Sequence, residues 1–203
     1  MHMNRMISKA GAAIVTVTVF LFAVFLIVDF SMGSYFVCLL LPVGFIMMTA
    51  GLHNECENDR KVAANIGLIL AAVYATLIML VYFSQLTTVK NEQLNEQAAA
   101  LLEFRRLGLI FNYDLLGYGV MALSTFFTGL SMTPENKADK RLRALMMIHG
   151  VFYFSCTFLP ITGLFAKMSG GSGIGGRLAL VAWCVYFLLV GILSYFHFRK
   201  NEK

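Results

Sequence analysis

Six long runs of apolar residues, separated by short polar segments, set the pattern of this chain. The runs cover residues 10–28, 35–52, 62–84, 107–131, 144–166 and 178–198. Each run is close to the roughly 20 residues that a helix needs to cross the hydrocarbon core of a bilayer. The pattern therefore predicts an all-α fold, in which a bundle of six transmembrane helices forms a single integral membrane domain over residues 1–203.

The longest connection, residues 85–106, has a different pattern. Its apolar residues recur at the spacing of one helix face, with charged residues between them; these apolar positions are Leu94, Ala98, Leu101 and Leu102. This periodicity predicts an amphipathic external helix over about 90–106 that lies on the membrane surface.

Polar residues before two of the runs are typical of helix starts. Asn58 or Asp59 can cap the helix of the third run. Thr133 offers a capping hydroxyl directly before Pro134, which predicts that the helix leading into the fifth run begins there. A glycine-rich segment, 168–176, precedes the sixth run and is interpreted as a flexible linker.

Composition agrees with a membrane protein and narrows its partners. Hydrophobic residues make up 59% of the 203 residues and charged residues 13%, with a mean hydropathy of +0.74. A soluble domain has about 25% charged residues, so this chain has too few to cover a water-facing surface. The net charge of +5 comes from basic residues that lie mainly in the connections, where they meet anionic lipid headgroups. The lipid bilayer is therefore the expected partner, and nucleic acid is not.

The distribution of basic residues predicts an orientation. With six spans and a cytoplasmic N-terminus, most of the 16 basic residues fall on the cytoplasmic side: Arg5, Lys9, Arg60, Lys61, Lys137, Lys140, Arg141, Arg143, Arg199, Lys200 and Lys203. The other side receives Lys90, Arg105, Arg106, Lys167 and Arg177. Cytoplasmic connections carry an excess of Lys and Arg. The chain is therefore expected to be a multi-pass protein of the cell membrane with both termini cytoplasmic.

An acidic residue inside the fourth run is the main candidate for function. Asp114 lies roughly 10 Å below the outer surface at 1.5 Å per residue, and an intramembrane carboxylate is costly unless it is paired, protonated or hydrated. Tyr118 shares its helix face and Asn112 lies close by in sequence. We weigh two interpretations: a site for a proton, a cation or a polar ligand, and a structural hydrogen bond between helices.

Two prolines extend this candidate site. Pro42 and Pro160 each end the pattern Tyr-Phe-x-Cys-x-x-Leu-Pro, and each removes a backbone hydrogen bond from the carbonyl four residues earlier. The match is either an internal repeat or a result of Phe, Leu and Tyr bias, and unequal proline depths argue against an inverted repeat. The prolines and Asp114 are predicted to line one outward-facing pocket together with Thr157, Trp183 and Tyr74.

His149 lies near the inner side of the fifth run. It is interpreted either as a proton relay or as a core histidine whose hydrogen-bonding partner is Asn65. Roughly 15 Å of helix rise separates it in depth from Asp114, so the two side chains are not expected to pair directly.

Other motifs carry less weight. His53 and Cys56 lie in an acidic connection, but no second Cys/His cluster completes a metal site, so this connection is interpreted as a solvated loop. The glycines of 168–176 match a dinucleotide-binding spacing without the preceding strand that such a site needs. No metal or cofactor is therefore expected. The four cysteines show no disulfide framework.

Two hypotheses of function follow. The first is a small transporter, channel or solute-binding membrane subunit, whose pocket around Asp114 takes a small solute or an ion. The alternative is an accessory or regulatory membrane protein, which binds a protein partner through the external helix or the inner basic connections. No nucleophile–base pair lies at one depth, so the sequence does not favour an enzyme. The first hypothesis expects a water-accessible cavity at Asp114, and the second expects a dry carboxyl group.

Overall fold

The computed structural model describes residues 2–163 and 174–200, and every regular element among them is a helix. The α-helices are α1 (His2–Ile27), α2 (Ser31–Asn54), α3 (Lys61–Leu86), α4 (Thr88–Asn91), α5 (Glu96–Leu102), α6 (Leu109–Ser131), α7 (Lys137–His149), α8 (Phe152–Ile161) and α9 (Ile174–Lys200). Single turns of 3-10 helix cover Asn58–Arg60 and Phe104–Arg106.

Within the described part of the chain, five helical segments are long and apolar enough to cross a membrane. They are Met3–Ile27, Ser31–Asn54, Asn58–Asn91, Lys137–Ile161 and Gly176–Lys200. The prediction of an all-helical, multi-pass membrane protein is thereby confirmed. Helix α6 is not among the five, although it has 23 residues. It carries Asn112, Asp114 and several hydroxyl and glycine residues, which lower its apolarity.

Long-range hydrogen bonds define the two ends of the bundle. At the end that holds His2 and Lys200, which we call the basic end, Arg60 Nη1 donates to the carbonyl oxygen of Met132 over 2.9 Å. At the opposite end, Arg105 donates to Ser31 Oγ over 2.6 Å, and Arg177 donates to Asp29 Oδ1 over 3.2 Å. Polar side chains therefore join helix ends on both sides of an apolar middle.

Glycines let α1 and α2 approach backbone to backbone. A methyl group at Gly11 would lie 2.5 Å from Met47 Cβ and 2.8 Å from the carbonyl oxygen of Gly44. A methyl group at Gly44 would lie 3.0 Å from the carbonyl oxygen of Gly11. Small residues are enriched at such interfaces because association in a bilayer depends on close van der Waals packing. Helix α6 lies equally close to α3, where Ser124 Oγ donates to the carbonyl oxygen of Gly67.

Two predicted helix starts are wrong in detail. Helix α7 begins at Lys137, and its cap is Asn136, whose side chain accepts from the backbone N–H groups of Ala138 and Asp139. The amide side chain of Asn136 also donates to the Asp139 carboxylate, a reciprocal arrangement that Thr133 is too far away to make. Helix α3 follows the turn Asn58–Arg60 directly and has no side-chain cap.

The fifth apolar run is not one straight helix. Helix α7 ends at His149 and α8 begins at Phe152. At the junction, a methyl group on Gly150 would lie 2.9 Å from Phe126 Cβ, so α6 approaches the break closely. Residues 164–166 of the predicted span lie outside the described residues. So does most of the predicted linker 168–176, whose last residues, 174–176, already belong to α9.

The connection 85–106 is divided into short helical segments. Helices α4 and α5 are separated at residues 92–95, where Asn95 Oδ1 caps α5 by accepting from Ala98. The side chain of Gln85 holds the connection on the bundle: its Nε2 donates to the carbonyl oxygen of Leu102 over 2.7 Å, and its Oε1 accepts from the backbone of Phe104 over 3.0 Å. The capping side chain of Asn95 starts a new helix where a continuous one was predicted.

Candidate functional site

Asp114 lies on the interior face of α6. The residue is 6% exposed, and its Oδ1 has no hydrogen-bonding partner within the protein. The hydroxyl of Tyr82, on α3, is the hydrogen-bonding group beside its carboxyl. A buried carboxyl oxygen without a partner is unusual, because nearly all buried polar atoms are hydrogen-bonded to protein or to ordered water.

Aromatic and thiol side chains from α2, from α3 and from α6 itself lie around this carboxyl. Cys38 on α2, Tyr74 on α3 and Tyr118 on α6 all lie close enough to feel its charge. The hydroxyl of Tyr118 donates to Cys38 Sγ over 3.8 Å, and its ring lies 5.9 Å from that of Tyr74. We call Asp114 and its neighbours Cys38, Tyr74, Tyr82 and Tyr118 the Asp114 cluster.

Polar atoms without a protein partner are concentrated near this cluster. Among the described residues, six buried side-chain polar atoms lack one: Thr49 Oγ1, Tyr74 Oη, Asp114 Oδ1, Arg143 Nε, Thr157 Oγ1 and Ser194 Oγ. Tyr74 and Asp114 belong to the cluster. Thr157 follows Cys156, a thiol that also feels the Asp114 charge, and its Oγ1 lies 3.5 Å from the methyl position of Gly119 on α6. Unsatisfied polar atoms of α3 and α6 thus belong to the cluster, and that of α8 lies against α6 at Gly119.

The other residues of the predicted pocket take different places. Pro42 is buried within α2, one helical turn after Cys38. Pro160 lies within α8, one turn after Cys156, and is partly exposed. Asn112 is exposed on another face of α6. The Asp114 cluster therefore includes Tyr118 and lies next to Thr157, whereas Asn112 points away from it.

His149 is satisfied within the bundle. Trp183 Nε1 donates to its Nε2 over 3.0 Å, and its Nδ1 lies 2.7 Å from Thr125 Oγ1. Because an indole N–H can only donate, Nε2 must be the acceptor and the ring proton must sit on Nδ1. The predicted partner Asn65 instead bonds His53 over 2.6 Å. This is the arrangement of a structural histidine.

Aromatic contacts link this histidine to the Asp114 cluster. The indole of Trp183 stacks on Phe187 at 5.1 Å and meets the ring of Tyr118 edge-on at 5.3 Å. Tyr118 in turn reaches Cys38. Hydrogen bonds and ring contacts thus extend from His149 through Trp183 and Tyr118 to Cys38 of the cluster.

No family model, curated protein or solved structure matches this chain. The arguments about function consequently depend on its own residues. The arrangement around Asp114 suits binding of a proton, a small cation or the donor group of a polar solute, since each would satisfy the carboxyl oxygen.

A polar cavity lies at the basic end, and the sequence interpretation missed it. Its volume is about 280 Å³, and its walls come from the start of α1, the end of α2, the α6–α7 connection and the end of α9. The charged or titratable side chains in its lining are Arg5, Glu55, Cys56, Glu135 and His197. Glu55 and Cys56 belong to the connection interpreted as a solvated loop, and only the folded bundle brings them to His197.

Four charged or titratable side chains meet at the wall of this cavity. His197 Nδ1 lies 2.9 Å from Asp139 Oδ1, and His197 Nε2 lies 2.8 Å from Glu55 Oε2. Lys200 Nζ donates to Asp139 Oδ2 over 3.1 Å. The side chain of Asp139 is 2% exposed, so this charge is held by its partners rather than by water. The sequence held one hint of this cluster: His197 and Lys200 are spaced i, i+3 and therefore share a helix face.

Proposed function

We propose that this protein is a small membrane carrier, channel or solute-binding membrane subunit, and that Asp114 is its binding residue. The observation that carries the proposal is the buried, unpartnered Oδ1 of Asp114, accompanied by unpartnered oxygens of Tyr74 and Thr157. Tyr82 satisfies one part of this carboxyl, and a ligand at Oδ1 would remove the cost of about 1–3 kcal/mol that an unsatisfied buried polar atom carries. Ionisable residues inside a membrane commonly mark substrate and ion pathways.

The proposal includes a topology. Helix α6 is the sixth span, because it is long enough at 23 residues and packs between α3 and the α7–α8 pair. Apart from the exposed Asn112 near its start, its strongly polar residues are mainly buried, for example Asp114, Ser124 and Thr128, so its lower apolarity does not require water around it. The basic end is cytoplasmic by the excess of Lys and Arg. Asp114, five residues after the start of α6, then opens toward the outer side, and the segment holding α4 and α5 is external.

The chemistry of the cluster favours a positively charged or hydrogen-bond-donating ligand. Its members offer a carboxyl oxygen and hydroxyl oxygens, and the described residues place no Lys or Arg among them. Aromatic rings of Tyr74 and Tyr118 lie beside the carboxyl, and such rings attract cations through their faces. A proton, a monovalent cation or a small protonated amine fits this set.

The first test is water access to position 114. The native cysteines are replaced, Asp114→Cys is introduced, and intact cells receive a membrane-impermeant thiol reagent. Glu92→Cys, on the exposed connection, is the accessible control. Met121→Cys, which is fully buried on α6, is the dry control. Labelling of position 114 at a rate near that of position 92 supports a ligand pathway from outside. A rate as slow as position 121 contradicts the proposal, and the accessory-protein hypothesis then becomes the better account.

A second test addresses the class of ligand. A hydrophobic carbodiimide modifies protonated carboxyl groups in apolar surroundings, and mass spectrometry identifies the modified residue. Modification at Asp114 is expected in the native chain and absent in Asp114→Asn. If the carboxyl binds a cation, then Na⁺, K⁺ or methylammonium slows the modification at constant pH. If none of the three cations changes the rate of modification, the proton remains as the ligand of this site.

A further inference from the structure

The imidazole of His197 faces two carboxylates from two different parts of the chain. Glu55 ends α2 and Asp139 lies in the first turn of α7, whereas His197 belongs to the last turn of α9. Both ring nitrogens lie within 2.9 Å of a carboxylate oxygen. This single ring therefore joins three helices at the wall of the polar cavity.

The protonation state of this ring follows from its partners. A carboxylate only accepts hydrogen bonds, whereas a neutral imidazole has one donor and one acceptor nitrogen. With a neutral ring, one lone pair would face a carboxylate oxygen at hydrogen-bonding distance, which is repulsive. An imidazolium donates from both nitrogens and satisfies both carboxylates. His149 shows the opposite case, because Trp183 can only donate to it.

We propose that Glu55, His197 and Asp139 form a proton-binding latch, in which an imidazolium holds the end of α2 to the start of α7 and closes one wall of the cavity. The ligand of this site is the proton. When the proton leaves, the ring loses one of its two donors, and the Glu55 carboxylate faces a neutral ring and a second carboxylate. The end of α2 is then released and the cavity opens. The latch is independent of the function proposed for Asp114.

Other charged or titratable side chains lie near this latch and contribute to the electrostatic potential there. They are Arg5 of α1, Cys56 just after α2, Glu135 just before α7 and Lys200 of α9. Lys200 lies on the far oxygen of Asp139, so it stabilises that carboxylate without replacing the imidazolium. Asn136 donates to the same oxygen. Asp139 therefore stays charged and fixed, and Glu55, whose side chain is 28% exposed, is the partner that can leave.

A metal ion does not explain this arrangement. The two carboxylates lie on opposite edges of the imidazole, each on its own ring nitrogen, whereas metal ligands converge on one point. Within the described residues, no group of three His, Cys, Asp or Glu side chains has the geometry to hold a metal ion.

The direct test is nitrogen NMR of the full chain in lipid nanodiscs with labelled histidine. The His197→Gln variant assigns the signal. At neutral pH we expect both nitrogens of His197 to carry protons and His149 to carry one, on Nδ1. A neutral, singly protonated His197 at that pH would overturn the proposal. This measurement uses the native chain, so it does not depend on whether a variant folds.

Matched variants test the two carboxylates. Glu55→Gln and Asp139→Asn each remove one negative charge beside the ring. Because an opposite charge within about 4–6 Å changes a protonation equilibrium by one to three pKa units, the ratio of neutral to charged His197 should rise at least about tenfold in each. Glu57→Gln is the control, since the exposed side chain of Glu57 makes no bond to His197. Equal ratios in all three variants would refute the role of these carboxylates.

Cavity opening has its own reporter in Cys56, which lines the cavity. With Cys38, Cys156 and Cys184 replaced, a polar thiol reagent modifies Cys56 alone. In the purified protein at mildly acidic pH, His197→Gln should accelerate this modification several-fold. The ratio of variant to native rates should fall toward one as pH rises, because the native latch opens too. A ratio that stays at one throughout would show that the ring does not close the cavity.

Discussion

Two threonines allow one chemical change to be made in opposite surroundings. Thr157 Oγ1 is buried without a partner near the Asp114 cluster. Thr125 Oγ1 bonds His149 Nδ1 over 2.7 Å and the carbonyl oxygen of Ala122 over 2.8 Å. Thr→Val keeps the shape of the side chain and replaces the hydroxyl with a methyl group. The two variants should therefore change the free energy of unfolding with opposite signs.

The magnitudes follow from the partners. Thr125→Val leaves the Nδ1–H group of a fully buried histidine unpaired, which costs about 1–3 kcal/mol. Thr157→Val removes an unsatisfied buried hydroxyl and should stabilise the protein by up to about 1–3 kcal/mol by the same reasoning. The gap between the variants should thus reach about 2 kcal/mol or more. Such a gap is large against the total stability of a typical protein, about 5–15 kcal/mol.

Reversible unfolding in mixed detergent, followed by fluorescence, measures this gap. Trp183 is the only tryptophan, and it contacts both His149 and Tyr118, so its emission reports on the region of both threonines. The reasoning is refuted if Thr157→Val destabilises the protein as much as Thr125→Val does. That result would mean that the Thr157 hydroxyl has a structural partner, and the argument for a ligand near Asp114 would lose one of its three oxygens.

Two further predictions concern packing and the external connection. Gly11→Ala should destabilise the protein by at least about 1–3 kcal/mol, because the new methyl group meets the backbone of α2. Gly176→Ala is the control, since a methyl group there has nothing within 4 Å and should not destabilise the protein. Equal unfolding curves for the two variants would contradict the close approach of α1 and α2. Gln85→Leu should increase hydrogen exchange throughout α5 by removing both bonds that hold the connection, with little change in the other helices. The control Gln97→Leu, on the exposed side of α5, should leave exchange unchanged, and similar exchange in the two variants would count against the role of Gln85.

The sequence predicted the features that depend on local physics. Apolar runs of membrane length located every long helix, because hydrophobicity over some 20 residues needs no tertiary information. The cost of a carboxylate within an apolar run was enough to identify Asp114 as a candidate. Its burial agrees with the expected interior position, although its function remains a prediction.

Other features depend on contacts between distant segments. Nothing near Glu55 in the sequence marks it as a partner of His197 or of Asp139, so the latch could not be predicted. Asn136 rather than Thr133 caps α7, because its side chain also bonds the Asp139 carboxylate. This signal is present in the local sequence, but the proline after Thr133 favoured an earlier helix start. The break after His149 coincides with the close approach of Phe126 to Gly150, a tertiary contact without a sequence signal.

The packing of α1 has a consequence for biogenesis. Its glycine contact with α2 joins segments separated only by a short turn, so this helical hairpin can form early in synthesis, as contacts between nearby residues form fastest. Another face of α1 is covered by α9, where a methyl group on Gly191 would lie 2.6 Å from Thr16 Oγ1. Helix α1 therefore completes its packing only when α9 is in place, and a chain that stops before α9 exposes this face to lipid.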